Sequence, residues 1–339
     1  MADSELEELR PYPNISAKAY EHPADRAATA ALKAIPMLDT VVRKLLEWRY
    51  EKALRQHYLG NAVKVGEAQL PELWSSHRHV TRIMDLGELN DLYVAPGVMG
   101  GGVVIGTKNP LMVIDSLLLS RLGPGEQRAL IGHEAGHVLS DHLTYMTVLN
   151  ILINGGRSIP MIGLPLRAVA AVLSEWYRAA ELSCDRAAVL AVRDPRIVCS
   201  LLMVTAGGMP AAQLNLDAFL AQAMEYQSWD DSSDRLRRFL SELGRTHSNA
   251  VIRVSEVMAW VKAGDYDRIQ RGEYRTRDQP DDVRAEAGDA VEFYTERFKA
   301  IFREAAENFN NLGQQVGEKG QQFADWVRSR RGGPPFGGD

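Results

Sequence analysis

Gly125-Glu126-Gln127-Arg128-Ala129-Leu130-Ile131-Gly132-His133-Glu134-Ala135-Gly136-His137 is the stretch on which the reading of this chain turns. Gly123-Pro124 just before it is a helix entry signal, so one helix is expected from about Glu126 to about His142. Positions four apart share a face of a helix, which aims the imidazoles of His133 and His137 at one point. Glu134 is rotated by about 100° from His133 and cannot join them with the same geometry. It can reach a water held in front of them. An ordinary amphipathic helix could carry any residues between two such histidines. Here Ala135 and Gly136 keep that stretch small, while Ile131, Val138 and Leu139 offer an apolar back face.

Two His ligands with an adjacent Glu base make the HExxH arrangement of zinc hydrolases. Zinc polarises a carbonyl and lowers the pKa of water toward about 7, and the Glu takes the proton and later passes it to a leaving amine. A catalytic zinc needs a third protein ligand and an open position. A third His ten residues after the first is ruled against, because position 143 is Leu143 and His142 misses by one. The alternative is a Glu from a second helix. The segment of about Ala170–Val192 has a helical pattern and carries Glu181 and Asp185 on one face. Glu181 is the candidate ligand and Asp185 a hydrogen-bond partner for a ligand histidine. The flanking Ala179, Ala180, Ala187 and Ala188 mark a packed helix rather than a solvated one.

Further from this stretch the sequence is that of an ordinary globular protein. The 339 residues are 45% apolar and 24% charged, enough for a sizeable core. A net charge of −5 argues against nucleic acid as a partner. Two cysteines, Cys184 and Cys199, fit a reducing compartment, and Cys184 reads as a small buried residue. The acidic N-terminus lacks the pattern of a secretory signal, so a cytoplasmic location is expected.

Residues 1–25 read as an N-terminal arm and 26–265 as the main domain. Helical spacing covers 26–59, broken at Pro36, and resumes over 70–85. His77 and His79 do not share a helix face and read as surface residues. Leu92–Ala95, Val103–Gly106 and Leu111–Ile114 are short, rich in β-branched residues and bounded by Gly and Pro, so a small antiparallel sheet is expected beside the His-bearing helix. The fold class is therefore α+β, mainly α. The apolar stretch 144–173 is broken by two prolines and two arginines, against the roughly 20 apolar residues of a spanning helix. It reads as a helical insert over the cleft or at a homo-oligomer interface, with membrane contact as the disfavoured alternative. Residues 280–331 read as a long amphipathic helix that docks on the domain, a partner subunit or a bilayer. Residues 332–339 read as a disordered tail.

The chain resembles the HtpX-like and CAAX prenyl protease-like gluzincins of metallopeptidase family 48. The resemblance covers about 70–260. It rests on the stretch quoted first, on Glu181-Leu-Ser-Cys-Asp185, and on Thr246-His247 with Arg253 six residues later. Ala19-Tyr20-Glu21-His22-Pro23-Ala24-Asp25-Arg26 is similar to the opening of soluble actinobacterial-type members. The resemblance implies a zincin-like fold and one zinc held by His133, His137 and Glu181. Glu134 is then general base and acid, and Asp185 orients a ligand. His247 donates to the oxyanion and Arg253 braces the ligand helices through a carboxylate. It also implies that the strand at Gly101, Gly102 and Val103 binds substrate backbone by strand addition. The chain departs from the pattern at Ser248, where proline is common, and at Val98–Val104, where an Asn-Ala-Phe-like strand is common. Its three glycines leave room for bulky side chains. The function implied is a zinc endopeptidase acting on protein or peptide substrates, in protein quality control. The alternatives are a membrane-associated processing protease, or a zinc-stabilised binding or chaperone-like module without turnover. The intact Glu134 speaks against the last.

Overall fold

Prolines stand in the first turn of several helices, where a missing N–H leaves no hydrogen bond unmade. A computed structural model describes residues 9–35, 42, 50–98, 100–107, 109–155, 164–228, 249–279, 290–301 and 303. Along the chain run α1 (Pro23–Lys33), α2 (Tyr50–Asn61), β1 (Val63–Lys64), α3 (Pro71–Ile83), β2 (Asp91–Ala95), β3 (Gly102–Ile105) and β4 (Leu111–Asp115). There follow α4 (Pro124–Leu139), α5 (Leu143–Gly155), α6 (Leu164–Val192), α7 (Pro195–Gly207), α8 (Leu216–Ser228), α9 (Ala250–Lys262) and α10 (Asp265–Gln270). The fold is mainly helical with one small sheet.

That sheet is mixed, not antiparallel as expected. Its order is β1-β2-β4-β3, with β2 and β4 parallel and the other two pairs antiparallel. The loop after β2 carries the chain past one strand position to the edge, where β3 forms. β4 then returns into the gap and must run alongside β2 in the same direction. All five residues of β4 are buried, as its central place requires. Met112 and Ile114 enter the core shared with α4, while Leu111 and Val113 pack with Tyr93 and Ala95 against Tyr58 of α2. β3 is left at an edge, bonded to β4 alone within the sheet.

Two apolar cores meet along α6, whose 29 residues thread both. One gathers Val80, Ile83, Met112, Ile131, Leu190, Val254 and Trp260 from the sheet, α3, α4, the end of α6 and α9. The other gathers Ala28, Leu32, Met146, Leu149, Leu173, Trp176, Tyr294 and Phe298. The described residues of the apolar stretch 144–173 are α5 and the start of α6, and their Met146, Val148, Leu149, Val172 and Leu173 pack in the second core. Among the described residues, no helix is long and apolar enough to cross a membrane. Residues 290–301 are helical and dock on this core through Tyr294 and Phe298. Residue 303 apart, the rest of the expected C-terminal helix and the tail 332–339 lie outside the described residues, as does Pro36.

Three boundaries or placements differ from expectation. Residues 9–25 are not an arm, since Tyr12, Ile15 and Tyr20 are buried in the first core. The domain does not end at 265. Ser16 donates its N–H to the Arg275 carbonyl at 3.0 Å, and Arg277 donates to that of Asn14 at 2.9 Å, tying 273–279 to the start of the chain. His77 and His79 are buried rather than exposed, on a helix α3 that packs against α4. His77 Nε2 pairs with the Asn90 carbonyl at 2.8 Å.

Candidate metal centre

The site forms where α4 meets α6, and glycine sets how closely they meet. A Cβ at Gly132 would lie 2.6 Å from Ala191 Cβ, and one at Gly136 would lie 2.8 Å from Ala187 Cβ and 3.0 Å from Cys184 Cα. Such separations are far inside van der Waals contact, so only glycine permits this approach. The two glycines are four apart and line the face of α4 beside His133 and His137. The close approach delivers Glu181 to the histidines. Its Oε1 lies 3.3 Å from His133 Nε2 and 3.3 Å from His137 Nε2.

Those separations suit a common cation. A tetrahedral site with bonds of about 2.0–2.1 Å has edges of about 3.3–3.4 Å between donor atoms. His137 is fully buried, yet its Nε2 makes no hydrogen bond of acceptable geometry. An orphaned buried nitrogen needs a partner, and a cation shared with His133 and Glu181 is one. Cys184 is also close. It forms with His133 and His137 a group whose potential ligand atoms lie within 4.8 Å of one another. Burial, with Glu181 and Asp25 nearby, pushes the Cys184 thiol well above its usual range, whereas a metal requires the thiolate. The structure therefore offers a carboxylate and a thiol for the third place, the carboxylate ionised and 3.3 Å from both imidazoles.

The surrounding charges are ordered by Arg253. Its Nε donates to Asp185 Oδ2 at 2.7 Å, its Nη2 to Asp185 Oδ1 at 2.5 Å and its Nη1 to Glu181 Oε2 at 2.9 Å. Asp185 Oδ1 lies 3.1 Å from His133 Nδ1. Burial alone would raise both carboxyls. Arg253 and His133 outweigh it, holding Glu181 well below the usual carboxylate range and lowering Asp185. Burial opposes charge on His133, but Glu181 and Asp185 prevail and raise it to about 10. A cation entering the site would displace that proton. Burial lowers His137 to about 4, so it is neutral and ready to coordinate.

Glu134 is buried, its Oε2 has no hydrogen-bond partner, and burial lifts its carboxyl to about 7. A dication nearby would pull that value down. The Glu134 carboxylate lies against β3: a Cβ at Gly102 would stand 2.3 Å from its Oε1. The room at Gly102 is thus filled by Glu134 and not by substrate side chains, which corrects that part of the sequence reading. Gly101 has φ +91°, and a Cβ there would strike Leu118. Val103 follows in β3, half-buried. His247 and Ser248 lie outside the described residues.

Four residues at the site have no role assigned from the sequence. Tyr177 stacks on His137 with ring planes 5° apart and centroids 5.7 Å apart. His142 presents Nδ1 to His137 Nδ1 at 3.1 Å, and Asp25 and Ser183 lie behind it. Tyr177 could have been found from its place four residues before Glu181. His142 had been weighed only as a ligand. Asp25 lies 117 residues from His142 and nothing local points to it.

The sequence profile of Peptidase family M48 matches residues 103–261, which span β3 to α9 and contain His133, Glu134, His137, Glu181, Asp185 and Arg253. The plastoglobule-localized metallopeptidase 48 of Arabidopsis thaliana chloroplasts is 34% identical over 263 residues, covering 75% of this chain and 76% of the relative. No solved structure matches the chain. With an HExxH pair, a carboxylate within reach of both histidines and a relative alike over most of its length, the chain belongs to the M48 family of metallopeptidases.

Proposed function

We propose that this chain is a zinc-dependent endopeptidase that cleaves extended or unfolded polypeptides, as protein quality control requires. The observation that carries this reading is the convergence of His133 Nε2, His137 Nε2 and Glu181 Oε1 beside Glu134, whose Oε2 has no hydrogen-bond partner. His133, His137 and Glu181 hold the ion. A bound zinc supplies a Lewis acid that polarises the scissile carbonyl and makes water acidic. Glu134 takes the proton of the attacking water and returns it to the leaving amine. Asp185 accepts the Nδ1 proton of His133 and keeps Nε2 turned inward. Arg253 ties Glu181 and Asp185 together. His247 is the oxyanion donor in this scheme, by its place in the sequence motif alone. The edge strand β3, at Gly102 and Val103 with Gly101 just before it, aligns the substrate backbone next to Glu134. The plant relative's name places that protein at plastoglobules; for this chain the two buried free cysteines support a reducing compartment such as the cytoplasm.

The test is metal content and casein cleavage for the wild type and Glu134→Gln. One zinc per chain in both, with cleavage by the wild type alone, is the expected result. Equal cleavage by both overturns the assignment. Zinc in both with cleavage by neither replaces it with a binding module.

A further inference from the structure

We propose that His142 and Asp25 form a positioning relay that sets the tautomer and aim of His137, making the first helix of the chain a working part of the metal centre. The inference rests on the metal reading above. A neutral histidine that offers Nε2 to a cation must carry its proton on Nδ1, and in a buried site that N–H needs an acceptor. His137 Nδ1 meets His142 Nδ1 at 3.1 Å. His142 must then accept there and carry its own proton on Nε2, which meets Asp25 Oδ2 at 3.1 Å. Cys184 Sγ lies further off, 3.8 Å from the same His142 Nδ1, whose single lone pair the His137 N–H takes. Every donor in the chain thus finds an acceptor in one direction. Run in reverse, the relay would put the proton of His137 on Nε2, facing Glu181 and closing the place of the cation.

The far end is built to hold a carboxylate. Asp25 is 1% exposed and accepts from the Ser183 hydroxyl at 2.5 Å and from Thr29 Oγ1 at 3.3 Å. Ser183 in turn accepts the His22 N–H at 2.9 Å. Trp176 lies edge-on to the His142 ring, 5.3 Å between centroids, and donates Nε1–H to Thr29 at 2.8 Å. These groups come from α1, α6 and the turn after α4, so the arrangement is tertiary rather than local. His142 and Asp25 touch no reacting atom and act through His137. Such partners orient a ligand ring and raise its basicity.

The experiment uses the full chain loaded with Co2+. Affinity is read by chelator competition, and the ligand N–H protons by their metal-shifted, solvent-exchangeable NMR signals. The wild type is expected to show two such signals, for His133 and His137. In Asp25→Asn and His142→Phe, one signal should move or exchange away while the other stays. Affinity should fall about 10–100-fold, and the double variant should lose little beyond the larger single loss. Melting of the metal-free chain checks folding. If either variant does not fold, Ser183→Ala, which removes one donor to Asp25, should move the same single signal. Folded variants with wild-type affinity and both signals unmoved overturn the relay and leave the metal reading standing. A wild type that takes up no metal overturns both.

Discussion

His133 and His137 stand one turn apart on α4, yet they are supported in different ways, the first from α6 and α9 and the second by way of α1. Behind His133 the support is one step long and dense in charge: Asp185 Oδ1 at 3.1 Å, with Arg253 on both Asp185 oxygens and on Glu181. Behind His137 a second imidazole, that of His142, intervenes, and the carboxylate of Asp25 comes after it. Both nitrogens need an acceptor, but two directly attached carboxylates would crowd negative charge around Glu181. Arg253 neutralises that charge on one side of the site. On the other, His142 moves the carboxylate one ring further away, where its repulsion with Glu181 is weaker. The same requirement is thus met by an ion-pair cluster on one side and, in the proposed relay, through an intervening imidazole on the other.

The contrast can be broken from either side. Arg253→Ala should have the largest effect, leaving the Asp185 and Glu181 carboxylates buried without their shared cation. Removal of one partner from such a network costs about 3–5 kcal/mol, measurable by denaturant unfolding of the metal-free chain. An unchanged unfolding midpoint would mean that Arg253 only sits among these groups. Gly136→Val strikes both supports at once by wedging α4 from Ala187 and Cys184. Overpacking of this kind costs about 1–3 kcal/mol, and the bound metal should be lost with the geometry. Asp185→Asn keeps the shape but removes the charge behind His133. It should weaken metal binding within the 10–100-fold range expected of outer partners, roughly, and by more than Asp25→Asn does, because its partner is in direct contact. A reversed order in a chelator titration would show the relay to be the stronger support. Cys184→Ser should change least. It should retain one metal ion per chain, whereas loss of metal would give the third ligand place to the thiol instead of Glu181.

How much could be read in advance follows from the range of each interaction. The His133–His137 pair and the Glu181–Asp185 pair are legible because four residues make about one turn, whatever the rest of the chain does. Glu134 follows from the same local rule. The strands at Leu92, Val104 and Val113 were marked by β-branched residues and flanking Gly and Pro. Their pairing was not, because β4 lies between β2 and β3 only by virtue of a loop that skips a position. The glycines of β3 announced themselves by composition. That Gly102 makes space for Glu134 depends on how the sheet lies on α4. Burial of Tyr12, Ile15 and Tyr20 was likewise hidden, since a polar, proline-bearing segment resembles a tail until its few apolar residues find a core.

The amino-acid sequence by itself determined which residues can coordinate a metal, and that they sit on helices at one-turn spacing. Local backbone geometry alone enforces that. Only the tertiary structure decided how those helices come together: Gly132 and Gly136 let α6 approach until Glu181 Oε1 stands 3.3 Å from both imidazoles. It also brought Asp25 to His142 across 117 residues. Contacts of that kind leave no periodic trace, because they depend on the packing of whole elements and not on the spacing of neighbours along a chain.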